Sequence, residues 1–182
     1  MNETAKHPHG GRCAVNAASC NAGGDSAPPS RRRPAHMELV RAGNQSVIVF
    51  LTVCTKGRRP LLAQPDIHEL LVMSWRQAIR WRVGRYVIMP DHIHLFCGPS
   101  VLTETVQSWM KYWKTLVSRR WPRPCDGDLW QQDGWDTQLR QGESYAAKWE
   151  YVRQNPVRAG LVESADDWPY QGELNILAWH DR

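Results

Sequence analysis

The stretch YVIMPDHIHLFCGP, residues Tyr86–Pro99, holds two short apolar runs, Tyr86–Met89 and Ile93–Cys97, separated by Pro90-Asp91. Proline removes a backbone donor and aspartate favours local turns, so the stretch predicts two antiparallel strands joined by a tight turn. In the second strand a period of two sends His92, His94 and Phe96 to one face and Ile93, Leu95 and Cys97 to the other. The apolar set can bury itself, which leaves two imidazoles side by side, with Cα atoms about 7 Å apart. That spacing suits a single divalent cation held between them. It also suits a pair of half-exposed sheet histidines, and residue types alone leave both readings open.

Working outward, SVIVFLTVCT (Ser46–Thr55) is rich in β-branched residues and predicts a central strand. The basic loop Lys56-Gly57-Arg58-Arg59-Pro60 ends it. Asp66 is expected to cap a helix, with Glu69 at the capping-box position and Ile67, Leu70, Leu71, Trp75, Ala78 and Ile79 as its buried stripe. After the histidine hairpin, Thr103 is expected to cap a second helix to about Arg120, with Val106, Trp109, Met110, Trp113, Leu116 and Val117 inward. Lys111, Lys114, Arg119 and Arg120 lie mostly off that stripe, either as ordinary solvated residues or as a lining for a nucleic-acid backbone. Thr137–Arg140 is expected to add a short strand. A third helix starts at Glu143 or Ser144 and runs to about Asn155, where Pro156 ends it. Strand, helix, hairpin, helix and further helix with scattered strand is an α+β order, with helices packed on an antiparallel sheet.

The 182 residues suit one domain and a tail: a disordered, basic segment over 1–45, dominated at first by Gly, Ala, Ser, Pro and Asn, then a folded domain over 46–182. Lys and Arg number 23 against 18 Asp and Glu, and the net charge of +5 permits an anionic partner. Five cysteines without a CxxC pair read as reduced thiols of a cytoplasmic protein. No apolar run approaches a membrane span, and no signal-peptide core opens the chain. Ten tryptophans exceed ordinary use; most belong in a core, but indoles also stack on unpaired bases.

Tyr151 and Asn155, in YVRQN, are four apart and share one helical face. A phenol is a usable covalent nucleophile, and an amide oxygen is a hard ligand suited to Mg²⁺ or Mn²⁺. The same spacing also describes an amphipathic helix with a half-buried tyrosine and a C-capping asparagine.

His92-Ile93-His94 resembles the His-hydrophobic-His signature of the HUH endonucleases, and Tyr151 with Asn155 resembles their single tyrosine followed four residues on by Gln or Asn. The longer strings VIMPDHIHLF and YVRQNPVRAGLV, with WDTQLRQGESY between them, are similar to the REP-associated tyrosine transposases over about Ser46 to Val162. The resemblance implies a ferredoxin-like α+β core and single-stranded or hairpin DNA as substrate. It implies a Mg²⁺ or Mn²⁺ ion held by His92, His94 and Asn155. It makes Tyr151 the nucleophile of a metal-dependent strand transfer that leaves a 5′-phosphotyrosine. From their placement, Lys111, Lys114, Arg119, Arg120, Arg153 and Arg158 are the expected DNA contacts, and the chain is expected to be nucleoid-associated when bound to DNA. Alternation turns Asp91 away from the histidines, which makes it a turn residue, and Glu143 is read as a helix-start carboxylate. Relatives include monomers and homodimers, so both states are open. Two further readings stand beside this one. A non-catalytic or domesticated hairpin-DNA-binding protein of the same fold would bind without forming an adduct. A zinc hydrolase would need the Cys97 thiol, which the alternation turns away from the histidines.

Overall fold

The computed structural model describes residues 47–100, 103–123, 127–140 and 143–179. The tail expected over 1–45 lies outside the described residues, as do Cys13, Cys20 and Cys125. In chain order the elements are β1 (Val49–Cys54), α1 (Pro65–Gln77), β2 (Trp81–Ile88), β3 (His92–Pro99), α2 (Val106–Arg119) and β4 (Trp135–Gln138). α3 (Tyr145–Arg153), α4 (Asn155–Arg158) and β5 (Gln171–Glu173) follow. All strand pairs are antiparallel, and the five-stranded sheet runs β4-β1-β3-β2-β5. The first four strands with α1 and α2 have ferredoxin-like order, as expected, and β5 is added outside β2.

The hairpin forms where the sequence places it. Met89 N–H donates to the His92 carbonyl across Pro90-Asp91 at 2.8 Å. Its first strand is longer than expected, because a bulge between Val83 and Tyr86 carries the pairing back to Trp81. One extra residue there lets Val83 and Tyr86, three apart, both face the same core.

That core lies between the sheet and the α1/α2 layer. Ile93, Leu95 and Cys97 of β3 meet Ile67, Leu71 and Trp75 of α1 and Trp109, Trp113 and Val117 of α2. A second, smaller core covers the other face, where Phe96, Ile48, Val87 and Leu139 pack with Tyr145, Trp149 and Val152 of α3. The boundaries of α1 and α2 depart from expectation at three points. α1 is entered through Gln64 and Pro65, with no side-chain cap. Asp66 sits in its first turn, paired with Arg123 at 2.9 Å. Ile79, expected inside, is 71% exposed because the helix stops at Gln77. α2 is capped by Thr105, whose hydroxyl accepts from Ser108 N–H at 3.2 Å, not by Thr103. Among the described residues no helix is long and apolar enough to cross a membrane.

Candidate active site

The strand period and the sheet register bring the histidines together. His92 and His94 project from the α3 face of β3, their Nε2 atoms 3.1 Å apart and their rings nearly perpendicular. Thr52 stands directly opposite His94 in β1, and its Oγ1 lies 2.9 Å from His94 Nδ1. Phe50, two residues back on the same face, stacks on the His94 ring at 5.4 Å.

Asp91 does more than turn the chain. Its Oδ1 accepts from His92 Nδ1 at 2.6 Å, and its Oδ2 accepts from Arg58 Nε at 2.8 Å. Thr55 pins the Asp91 carbonyl through both its N–H and its hydroxyl. Burial pushes the Asp91 carboxyl up, but the hydrogen bond and charge of His92, with Arg58, outweigh it and hold the group below its ordinary value. Arg58 itself has a left-handed backbone (φ 55°), following Gly57 (φ 67°), a conformation that costs a non-glycine residue about 1 kcal/mol. Its guanidinium also donates to Cys54 Sγ at 2.8 Å. Cys54 is the strand thiol on the histidine face, opposite His92, while Cys97 is buried in the α1/α2 core as the alternation predicts.

These contacts constrain the ring protons. A carboxylate only accepts, so His92 Nδ1 carries a hydrogen toward Asp91. Two bare Nε2 lone pairs 3.1 Å apart would repel, so either one proton or one cation must stand between them. Burial, reinforced by the electrostatic influence of His92, Arg58 and Arg158, holds His94 down to about 3, so its ring is neutral near pH 7. A neutral imidazole whose Nδ1–H donates to the Thr52 hydroxyl would present its Nε2 lone pair inward. Metal-bound histidines are oriented in this way by an outer partner on the far nitrogen. The donor set therefore fits a divalent cation. Among the described residues no three His, Cys, Asp or Glu side chains gather as a metal site, so a third protein ligand here has to be of another type, such as an amide.

α3 starts as expected, capped by Ser144, but it ends at Arg153; after Gln154, α4 begins at Asn155 with Pro156 in its first turn. The expected shared helical face is thus interrupted, and Arg158 joins its two halves. The Arg158 guanidinium lies 4.3 Å over the Tyr151 ring and donates to the Tyr151 carbonyl at 2.7 Å and to Asn155 Oδ1. Tyr151 is 67% exposed. Arg158 also contributes to the field that keeps His94 neutral, which ties this cluster to the histidine pair. Lys148 of α3 lies 5.9 Å over Phe50, the ring that stacks on His94.

The remaining expected DNA contacts are elsewhere. Lys111, Arg119 and Arg120 are exposed on α2, across the sheet from the histidines, and Arg120 donates to Gln77 at 2.9 Å. Lys114 needs correction: it is buried, donates to the Gln131 carbonyl at 2.6 Å, and desolvation pulls its ammonium down to about 8. Arg153 is held between Glu150 and Asp166. Sequence reasoning missed Thr52, Arg58 and the bond from Asp91 to His92. Thr52, a hydroxyl inside an apolar strand, was the available signal.

No family model matches the chain. Over 94 residues it is 31% identical to a Haemophilus influenzae protein provisionally named a REP-associated tyrosine transposase, covering 46% of this chain and 53% of that one. The chain thus matches about half the length of that relative. An Escherichia coli REP-associated tyrosine transposase is 23% identical over 124 residues, covering 66% of this chain and 73% of that protein. The fold superposes on a REP-associated tyrosine transposase solved with a REP hairpin, with a TM-score of 0.59 and 22% identity, covering 74% of this chain and 81% of that one. In sequence this chain is similar to REP-associated tyrosine transposases, and in fold it is similar to one of them.

Proposed function

We propose that this chain cuts and rejoins single-stranded DNA at or near hairpins, through a 5′-phosphotyrosine on Tyr151. The observation that carries the reading is the convergence of His92 and His94 Nε2, 3.1 Å apart, on the sheet face over which α3 packs. The names of the relatives, and the hairpin bound by the solved neighbour, support hairpin DNA as substrate.

A divalent cation, Mg²⁺ or Mn²⁺, held by His92, His94 and Asn155, would polarise a non-bridging oxygen of the scissile phosphate. Burial keeps the His94 ring neutral and so able to offer a lone pair, and Asp91 and Thr52 fix the two rings. Arg158 supplies a positive charge beside Tyr151, where negative charge gathers on the phosphate during displacement. The Tyr151 oxygen attacks phosphorus, the bond to the 3′-oxygen breaks, and the phenol proton is finally carried by the released 3′-hydroxyl. A phosphodiester has been exchanged for a phosphotyrosine, so an incoming 3′-hydroxyl can reverse the step without ATP.

The test is incubation of the full chain with hairpin oligonucleotides carrying single-stranded flanks, with and without Mn²⁺, read as a protein-linked DNA band on a denaturing gel. The expected result is a band that needs metal and vanishes in Tyr151→Phe. Hairpin binding with no adduct under any metal condition would replace this reading with that of a non-catalytic DNA-binding protein.

A further inference from the structure

All ten tryptophans lie among the described residues, and nine are buried or half-buried. Trp135, the first residue of β4, is the exception at 44% exposed. Its direction follows from the sheet. Trp135 pairs with Thr52, and Thr52 pairs with His94, so the three form one cross-strand row. Directly paired residues project to the same face. Thr52 reaches His94 Nδ1, so the Trp135 indole stands on the histidine face, two strand spacings, or about 10 Å, from His94.

The neighbourhood fixes this placement. A side chain at Gly134 would meet Met110 Sδ at 2.6 Å and the Thr52 carbonyl at 3.1 Å, so only glycine lets the chain enter β4 this close to β1. α3 covers the far end of the same face through Phe96 and Phe50, and Trp135 has no ring or cation stacked on it among the described residues. The end of the face nearer Trp135 carries the cations Arg58 and Arg158 beside the histidine pair. An open indole beside a cationic site combines a stacking surface with phosphate attraction, the pairing by which single strands are held.

We propose that Trp135 is a stacking platform for one unpaired nucleobase of the DNA strand, one or two nucleotides from the phosphate at the histidine pair. This rests on the strand-transfer reading above and adds to it the position at which the strand is gripped. Stacking is tolerant of base identity, so Trp135 sets where the flank lies, not which sequence is read.

The test uses the full chain carrying Tyr151→Phe, so that no DNA is consumed, and measures binding of end-labelled hairpins by fluorescence anisotropy. One hairpin has an intact single-stranded flank; the others carry one abasic residue at each flank position in turn. With Trp135 present, one abasic position should weaken binding about 5- to 150-fold, the range for a single stacked base. Trp135→Ala should lose as much on the intact flank, lose nothing more at that abasic position, and keep the salt slope, because no charge has changed. Trp135→Phe should recover part of the loss. The inference is overturned if Trp135→Ala binds the intact flank like its parent, or if its abasic penalty persists. It is also overturned if Trp135→Ala changes only the molecular mass in solution, which assigns the indole to a second copy of the chain. Loss of all flank binding in the parent sinks the strand-transfer reading together with this inference. A normal adduct from the otherwise native chain, with binding indifferent to Trp135, sinks this inference alone.

Discussion

Asp91 shows how much one side chain can carry at this site. Its two oxygens bridge Arg58 and His92, so it transmits the position of the β1 loop to the imidazole. Asp91→Asn can turn its NH₂ toward His92 Nδ1 or lose the charge that orients the ring. The expected outcome is a 10- to 100-fold loss in Mn²⁺ affinity, the usual scale for an outer partner of a metal-bound histidine, measured by titration calorimetry. His94 sets a pH dependence of the metal-free fold. Its folded value of about 3 lies below the ordinary 6.5, so between those limits the unfolded chain binds a proton that the folded chain refuses. Stability from this group is full above pH 6.5 and is lost as pH falls toward 3. Urea midpoints at pH 7, 5 and 4 should decline, and His94→Gln should flatten the decline.

The elements were legible where one rule governs a segment. The histidine hairpin follows from period two and a Pro-Asp turn, and the inward stripe of α2 from helical spacing. Failures came where distant residues decide. Lys114 looks solvent-facing on a helical wheel, but the 131–132 carbonyls, far along the chain, close over it and accept its hydrogen bonds. Lys114→Ala should therefore destabilise the fold by about 1–3 kcal/mol through orphaned carbonyls, while leaving the salt slope of DNA binding unchanged. Thermal melts and salt titrations check the two halves. Alternation aims Asp91 away from the rings and so reads it as a turn residue; the structure instead shows its carboxylate accepting from His92 Nδ1. The break after α3 was also hidden, since Tyr151 and Asn155 keep their spacing of four whether or not the helix is continuous.

At the scale of the molecule, the strand order separates two tasks. One face is sealed by α1 and α2 and provides the large core; the other carries the histidine pair, with α3 over part of it. His94 feels Arg158 of its own chain, and Arg158 touches Tyr151 and Asn155, contacts that support a proposed site assembled within one polypeptide. Mixing Tyr151→Phe with His94→Ala chains should accordingly give no adduct; a restored band in the gel assay would mean that the tyrosine works in a partner's site. The bulge at Val83–Tyr86 has a corollary for how such a sheet tolerates change. It takes up one surplus residue upstream of the chemistry. Excising Gly84 would set Arg85 alone opposite Phe96, so Trp81 and Val83 would keep their layer and Val87 would stay opposite His94. A single-codon deletion there would straighten the strand without turning over any paired side chain, and the imidazoles would keep their alignment.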